Sequence, residues 1–69
     1  MFICEGEVVG MNSYEKDGSK KFYAQVVYNS KIKGYTGKRA CSCAVSDDYK
    51  VGTKVKIADD FFRPQVLEN

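Results

Sequence analysis

Histidine is absent from this 69-residue chain, and proline occurs only once. Without histidine, no Ser-His or Cys-His pair can activate a nucleophile. No apolar run approaches the ~20 residues of a membrane-spanning helix. No ten-residue stretch carries an i, i+3, i+4, i+7 apolar stripe either, which excludes a long helix. Internal repeats and low-complexity tracts are missing. The opening residues Met1, Phe2, Ile3, Cys4 and Glu5 form neither a basic n-region nor a long apolar h-region, so no cleaved signal is expected.

Other chemistry is excluded by spacing. The three cysteines are Cys4, Cys41 and Cys43. Cys41 and Cys43 form a C-x-C pair, not the C-x-x-C of zinc and thioredoxin-type sites, and nothing nominates a fourth ligand. They read as small buried hydrophobes in a reducing, cytoplasmic compartment, so no metal or cofactor is expected. Gly34, Gly37 and Lys38 make a Gly-x-x-Gly-Lys fragment that lacks the Walker spacing and its following Ser/Thr. Asp47-Asp48 and Asp59-Asp60 are turn residues whose adjacent carboxylates do not converge as glycosidase pairs must. An enzyme is not expected.

What is present is a soluble-domain composition, 43% hydrophobic and 29% charged, in a chain long enough for one domain over residues 1–69. For 7.8 kDa, apolar burial and chain ordering each come to roughly 100 kcal/mol. That thin balance points to stabilisation by a partner subunit or a ligand. Net charge is +2, but residues 1–15 carry −3, residues 16–39 carry +6 and residues 40–69 carry −1. The middle third is a basic block in a nearly neutral protein.

Local preferences favour strands throughout. Residues 2–11 form a first strand ending near Asn12 and Ser13, and residues 21–28 form a second, rich in aromatic and β-branched side chains. The Asp17-Gly18 pair between them is the strongest hairpin signal in the chain. Residues 29–37 are a polar connection broken by Gly34 and Gly37. Residues 38–45 continue the meander, Ser46 to Tyr49 make a turn, and residues 53–58 alternate as a half-buried strand. Residues 61–67 close the domain as an edge strand, because Pro64 cannot donate to a ladder. Five short strands manage their edges by closing on themselves, so the expected fold is an all-β, five-stranded OB-like or SH3-like barrel.

Alternation assigns faces. Phe22, Ala24, Val26 and Tyr28 point inward, with the Tyr28 hydroxyl at the rim, while Tyr23, Gln25 and Val27 point outward. Cys41, Cys43 and Val45 are inward, on the parity of Arg39. Ala40, Ser42 and Ala44 leave a shallow floor beside Tyr23. Tyr49 is expected beneath the barrel. Tyr14, Tyr23 and Tyr35 interleave with Lys16, Lys20, Lys21, Lys31, Lys33, Lys38 and Arg39. Single-stranded nucleic acid takes this mixture: cations follow the phosphates and ring faces stack on unpaired bases.

Three stretches carry a family resemblance: residues 16–23, a Gly- and Lys-containing turn entering the aromatic strand; residues 48–55, with Tyr49-x-x-Gly52 before a late strand; and residues 61–67, the closing strand. In these the chain resembles the small single-stranded DNA-binding, helix-destabilising proteins of filamentous phages and related mobile elements. The resemblance covers under half of the chain, which is shorter than the typical member, with a short segment 29–37 where the family has a protruding hairpin. It implies an OB-type barrel, a homodimer and a binding role for Lys21 and Tyr23. Two other readings stand beside it. One is an SH3-like protein-interaction module, or a phage or plasmid accessory factor docking a host protein, with residues 29–37 as its specificity loop. The other is a cold-shock-type RNA-binding barrel, for which only Phe22-Tyr23 approaches the required aromatic motif.

Overall fold

The computed structural model describes residues 2–34, 36–60 and 62–68. Five strands, β1 (Phe2–Lys16), β2 (Ser19–Ser30), β3 (Gly37–Val45), β4 (Lys54–Asp59) and β5 (Gln65–Leu67), form one antiparallel sheet in the order β3-β2-β1-β4-β5. No helix occurs among the described residues, so none there is long and apolar enough to cross a membrane. The order departs from the expected meander. β4 pairs with β1, not β3, which places β1 at the centre and gives the Greek-key connection of an OB-like barrel.

β1 serves two partners in succession. Residues 2–7 pair with β4, residues 6–16 pair with β2, and the register slips by one residue between Val8 and Gly10. The extra residue, Val9, is a β-bulge, which bends a strand and steepens its twist. Gly6 sits where β1 is paired on both edges. A Cβ there would lie 2.8 Å from Val26 Cγ1 and 3.2 Å from both Ile57 Cγ1 and the Val27 carbonyl, so only glycine allows this approach. Just before β4 begins, Val8 N–H donates to the Thr53 carbonyl (2.9 Å) and Gly52 N–H donates to the Val8 carbonyl (2.7 Å).

The curled sheet buries Cys4, Val8, Ala24, Val26, Tyr28 and Ile57, with Met11, Cys41, Val45, Tyr49, Val55 and Val66 packed against them. Of the inward set expected from alternation, Ala24, Val26, Tyr28 and Cys43 are buried and Cys41 and Val45 pack against the core, whereas Phe22 is only half-buried and stands outside that cluster. The Tyr28 hydroxyl is not at a wet rim, however: it donates to Asp59 Oδ1 at 2.9 Å in the interior. Asp59 is likewise no turn residue. It ends β4 fully buried, accepts from Ser30 Oγ at 2.6 Å, and lies 3.8 Å from Arg39 Nη1.

β3 and β5 face each other across the open seam. Cys43 Sγ donates to the Pro64 carbonyl at 3.4 Å. Glu68 accepts from Ser46 N–H, Ser46 Oγ and the Tyr49 hydroxyl (2.6 Å for the last). Away from the seam, β1 and β2 run past the ends of β3 and β4 as a two-stranded ribbon. It closes through Asp17 (φ 53°) and Gly18 (φ 79°), a pair of positive-φ residues that matches the strand twist. The ribbon accounts for the 41 × 23 × 20 Å extents and a 12.3 Å radius of gyration, against about 11 Å for a compact chain of this length.

Candidate nucleic-acid interface

Cross-strand partners share a face, so register locates each predicted residue. On the outer face, Tyr14 lies opposite Lys21, Asn12 opposite Tyr23 and Gly10 opposite Gln25. Across β2, Tyr23 faces Ala44, Gln25 faces Ser42, Val27 faces Ala40 and Asn29 faces Lys38. The small floor of Ala40, Ser42 and Ala44 is exposed beside Tyr23, as alternation predicts. Gln25 lies over Gly10 of β1, which has no side chain to displace it: a Cβ at Gly10 would come within 2.6 Å of Gln25 Oε1.

The chemical centre of this face is an aromatic pair. The Tyr14 and Tyr23 rings stack with centroids 5.6 Å apart and planes within 7°, and their hydroxyls are 3.2 Å apart. That hydroxyl contact, with some burial, raises the Tyr14 pKa above its ordinary value. Tyr14 remains 47% exposed. The pair serves the ribbon surface, not the core, and Lys16 and Lys21 flank it on the same face.

The remaining basic residues separate from this group. Lys20 has the opposite parity, with its ammonium 5.6 Å from the centroid of the Phe22 ring. Lys31 and Lys33 lie in the β2–β3 connection, where Lys31 Nζ reaches the Ile3 carbonyl at 3.4 Å. Lys38 is outward but at the far end of β2 and β3. At about 3.3 Å per residue, ten positions of β2 separate Lys21 from Lys31 by about 33 Å. Arg39 faces the interior and its Asp59 neighbour. Tyr35 lies outside the described residues.

Two cleft residues escape the sequence reading. An open depression of about 710 Å³ runs round the β3 edge, with Tyr23, Ser42 and Ala44 on one side and Phe62, Arg63 and Pro64 of the β4–β5 connection on the other. Phe62 is 84% exposed. The signal for them was the aromatic-basic run Phe61-Phe62-Arg63, the same mixture that marks the ribbon, hidden inside a segment read as an edge strand. In OB-type barrels the β2–β3 face together with the β1–β2 and β4–β5 loops is where oligonucleotides bind.

The same depression reaches Cys41 and Cys43, whose sulfurs are 3.4 Å apart. Burial first, then the contact with Cys43, pushes the Cys41 thiol up to about 12, so that thiol is protonated near neutrality. At the far end of the outer face the charges are mixed. Lys54 forms an ion pair with Glu7, and that bond, with Lys54 and Lys38 nearby, holds the Glu7 carboxyl below its usual range.

No family model, curated protein or solved structure matches the chain.

Proposed function

We propose that this protein binds single-stranded DNA with little sequence preference, as a non-enzymatic binding module. The observation that carries the reading is the exposed Tyr14–Tyr23 stack between Lys16 and Lys21 on one side and the small-residue floor on the other. Each base has a π-face, so a stacking platform accepts all of them, and each stacked base contributes about 1–3 kcal/mol. Lys16 and Lys21 hold phosphates at the platform, Arg63 extends the cationic lining across the cleft, and Lys31, Lys33 and Lys38 meet a longer strand. Arg39, beside a buried carboxylate, is the weakest member of the predicted set.

A homodimer belongs to the same proposal. Exposed Phe2, Ile3, Val9 and Val51 supply apolar surface, and a core this small gains from a second copy. Size-exclusion chromatography with light scattering should return twice the chain mass.

The deciding experiment is fluorescence anisotropy of labelled oligo-dT titrated with protein at two salt concentrations. Micromolar or tighter binding that weakens steeply with salt supports the reading. No binding at low salt overturns it and hands the outer face to the protein-docking alternative, to be pursued by pull-down.

A further inference from the structure

Cys41 and Cys43 do nothing for base stacking or phosphate contact, yet they are arranged with care. Both point from β3 toward the seam, their sulfurs are 3.4 Å apart, and Cys43 donates its S–H to the Pro64 carbonyl. The geometry points to an oxidisable dithiol: a modification site that closes to an intrastrand Cys41–Cys43 disulfide under a small-molecule disulfide oxidant such as glutathione disulfide, and thereby weakens the cleft's hold on single strands. The second half of this inference rests on the nucleic-acid reading above; the first half does not.

The chemistry balances. One cysteine sulfur, once it has given up its proton to solvent, attacks glutathione disulfide, giving a mixed disulfide and one glutathione thiolate. The second cysteine then attacks the protein sulfur of the mixed disulfide and releases the second glutathione. Two protein thiols are oxidised by two electrons, one glutathione disulfide is reduced to two glutathiones, and the two thiol protons end on the departing thiolates.

Coupling to the cleft follows from position. Residues two apart on an extended strand have Cα atoms about 6.6 Å apart, at the upper end of the ~4.4–6.8 Å that disulfides span. Closure therefore shortens β3 at Ser42, the floor residue between them. It also consumes the S–H that ties Pro64 to β3, and Pro64 follows Phe62 and Arg63, which form the opposite wall of the cleft. Floor and wall are disturbed by the same bond. A bond formed under such tension is easily reduced, which suits a reversible site.

The test treats the full chain with glutathione disulfide, alkylates remaining thiols under denaturing conditions, and digests with trypsin. Cleavage after Arg39 and Lys50 leaves both cysteines in the peptide 40–50 and Cys4 elsewhere. The expected result is an unalkylated 40–50 peptide about 2 Da lighter than its dithiol form, with Cys4 alkylated. Oligo-dT affinity of the oxidised protein should fall at least tenfold and return with dithiothreitol, while its circular dichroism stays that of the reduced protein. The Cys41→Ser/Cys43→Ser double variant should bind and ignore the oxidant. Full alkylation of both residues, glutathione adducts or interchain products overturn the site. Unchanged affinity in the oxidised protein, a global loss of structure, or an oxidant response in the double variant overturns the coupling. If reduced wild type does not bind oligo-dT, the nucleic-acid reading and the coupling fall together, and the peptide mass still decides the disulfide.

Discussion

Replacing Tyr23 by alanine tests the stacking platform directly, and the structure sets the size of the effect. Tyr23 is half-buried on the outer face, pairs with Asn12 on β1 and Ala44 on β3, and carries the Tyr14 ring at 5.6 Å. Its loss removes one stacked base, about 1–3 kcal/mol, which is about 5- to 160-fold in Kd. It also leaves Tyr14 without its support, so the upper half of that range is expected. Tyr14→Ala leaves Tyr23 seated in the sheet and should cost less. If the rings act as one platform, the double variant should fall short of the summed single losses by about 0.5 kcal/mol or more.

The assay is oligo-dT anisotropy for wild type, Tyr14→Ala, Tyr23→Ala and the double variant, each titrated with salt. Tyr23 touches no phosphate in this scheme, so the slope of log K against log salt should be unchanged while the intercept drops. Tyr23→Phe keeps the ring and loses only the 3.2 Å hydroxyl contact with Tyr14, so it should bind nearly as wild type. A Tyr23→Ala variant that melts as a folded domain and binds within twofold of wild type refutes the platform.

Lysine positions separate by face: Lys16→Ala and Lys21→Ala should each lower the salt slope by about 0.7, the single-strand value per phosphate, whereas Lys20→Ala should leave it alone. Equal effects from all three would show that parity does not govern phosphate contact. Asp59→Ala removes the buried acceptor shared by Tyr28 and Ser30 and the anion beside Arg39, so urea unfolding should show a loss of about 3 kcal/mol or more; a loss under 1 kcal/mol would mean these groups find other partners cheaply. The Glu68 carboxyl is lowered chiefly by the Tyr49 hydroxyl and then by Ser46. A depressed folded pKa gives stability that is present above the unfolded value of about 4.3 and lost as pH falls through the folded one. The melting-temperature gap between wild type and Glu68→Gln should therefore be open near neutrality and close on acidification. A gap that does not change with pH would assign the clasp to something other than the charge.

The parts of the fold readable from sequence are those governed by local chemistry. Asp17-Gly18 announces its turn because few other pairs adopt positive φ twice, and the alternation along β2 and β3 correctly turns Tyr23 and the Ala40-Ser42-Ala44 row outward. Tyr14 is different. With Cys4, Gly6 and Val8 inward, strict alternation through an unbroken β1 would bury Tyr14 as well. The one-residue bulge at Val9 reverses the parity of everything after it; a strand glycine such as Gly10 can mark a bulge, but Gly6 in the same strand marks a close approach instead, so the sequence does not say where the slip falls. Asn12 and Ser13 read as strand breakers, yet they pair with Tyr23 and Phe22 because β2 offers a complete ladder. Asp59 reads as a turn residue because its stabilising donors, Ser30 and Tyr28, come from 29 and 31 positions earlier in the chain. Long-range pairing of this kind has no footprint in neighbouring residues.

The bulge also explains why a protein of net charge +2 can present a directional cationic path. By turning the second half of β1 over, it places Tyr14 and Lys16 with Lys21 and Tyr23, and sends Glu15 to the opposite face with Lys20. The first half of β1 keeps Glu5 and Glu7 outward, with Lys56 opposite Glu5 in register and Lys54 paired with Glu7, near Lys38. Along one sheet face the field therefore changes from unopposed cations at the ribbon to near neutrality at the far end. In the proposed mode a polyanion entering at Lys16 and Lys21 meets a cation across the cleft, at Arg63, whereas along the strand about 26 Å of β2 intervenes before Lys38 opposite Asn29. The path over Tyr23 and Ser42 toward Phe62 is thus set by where the acids stand as much as by where the lysines do.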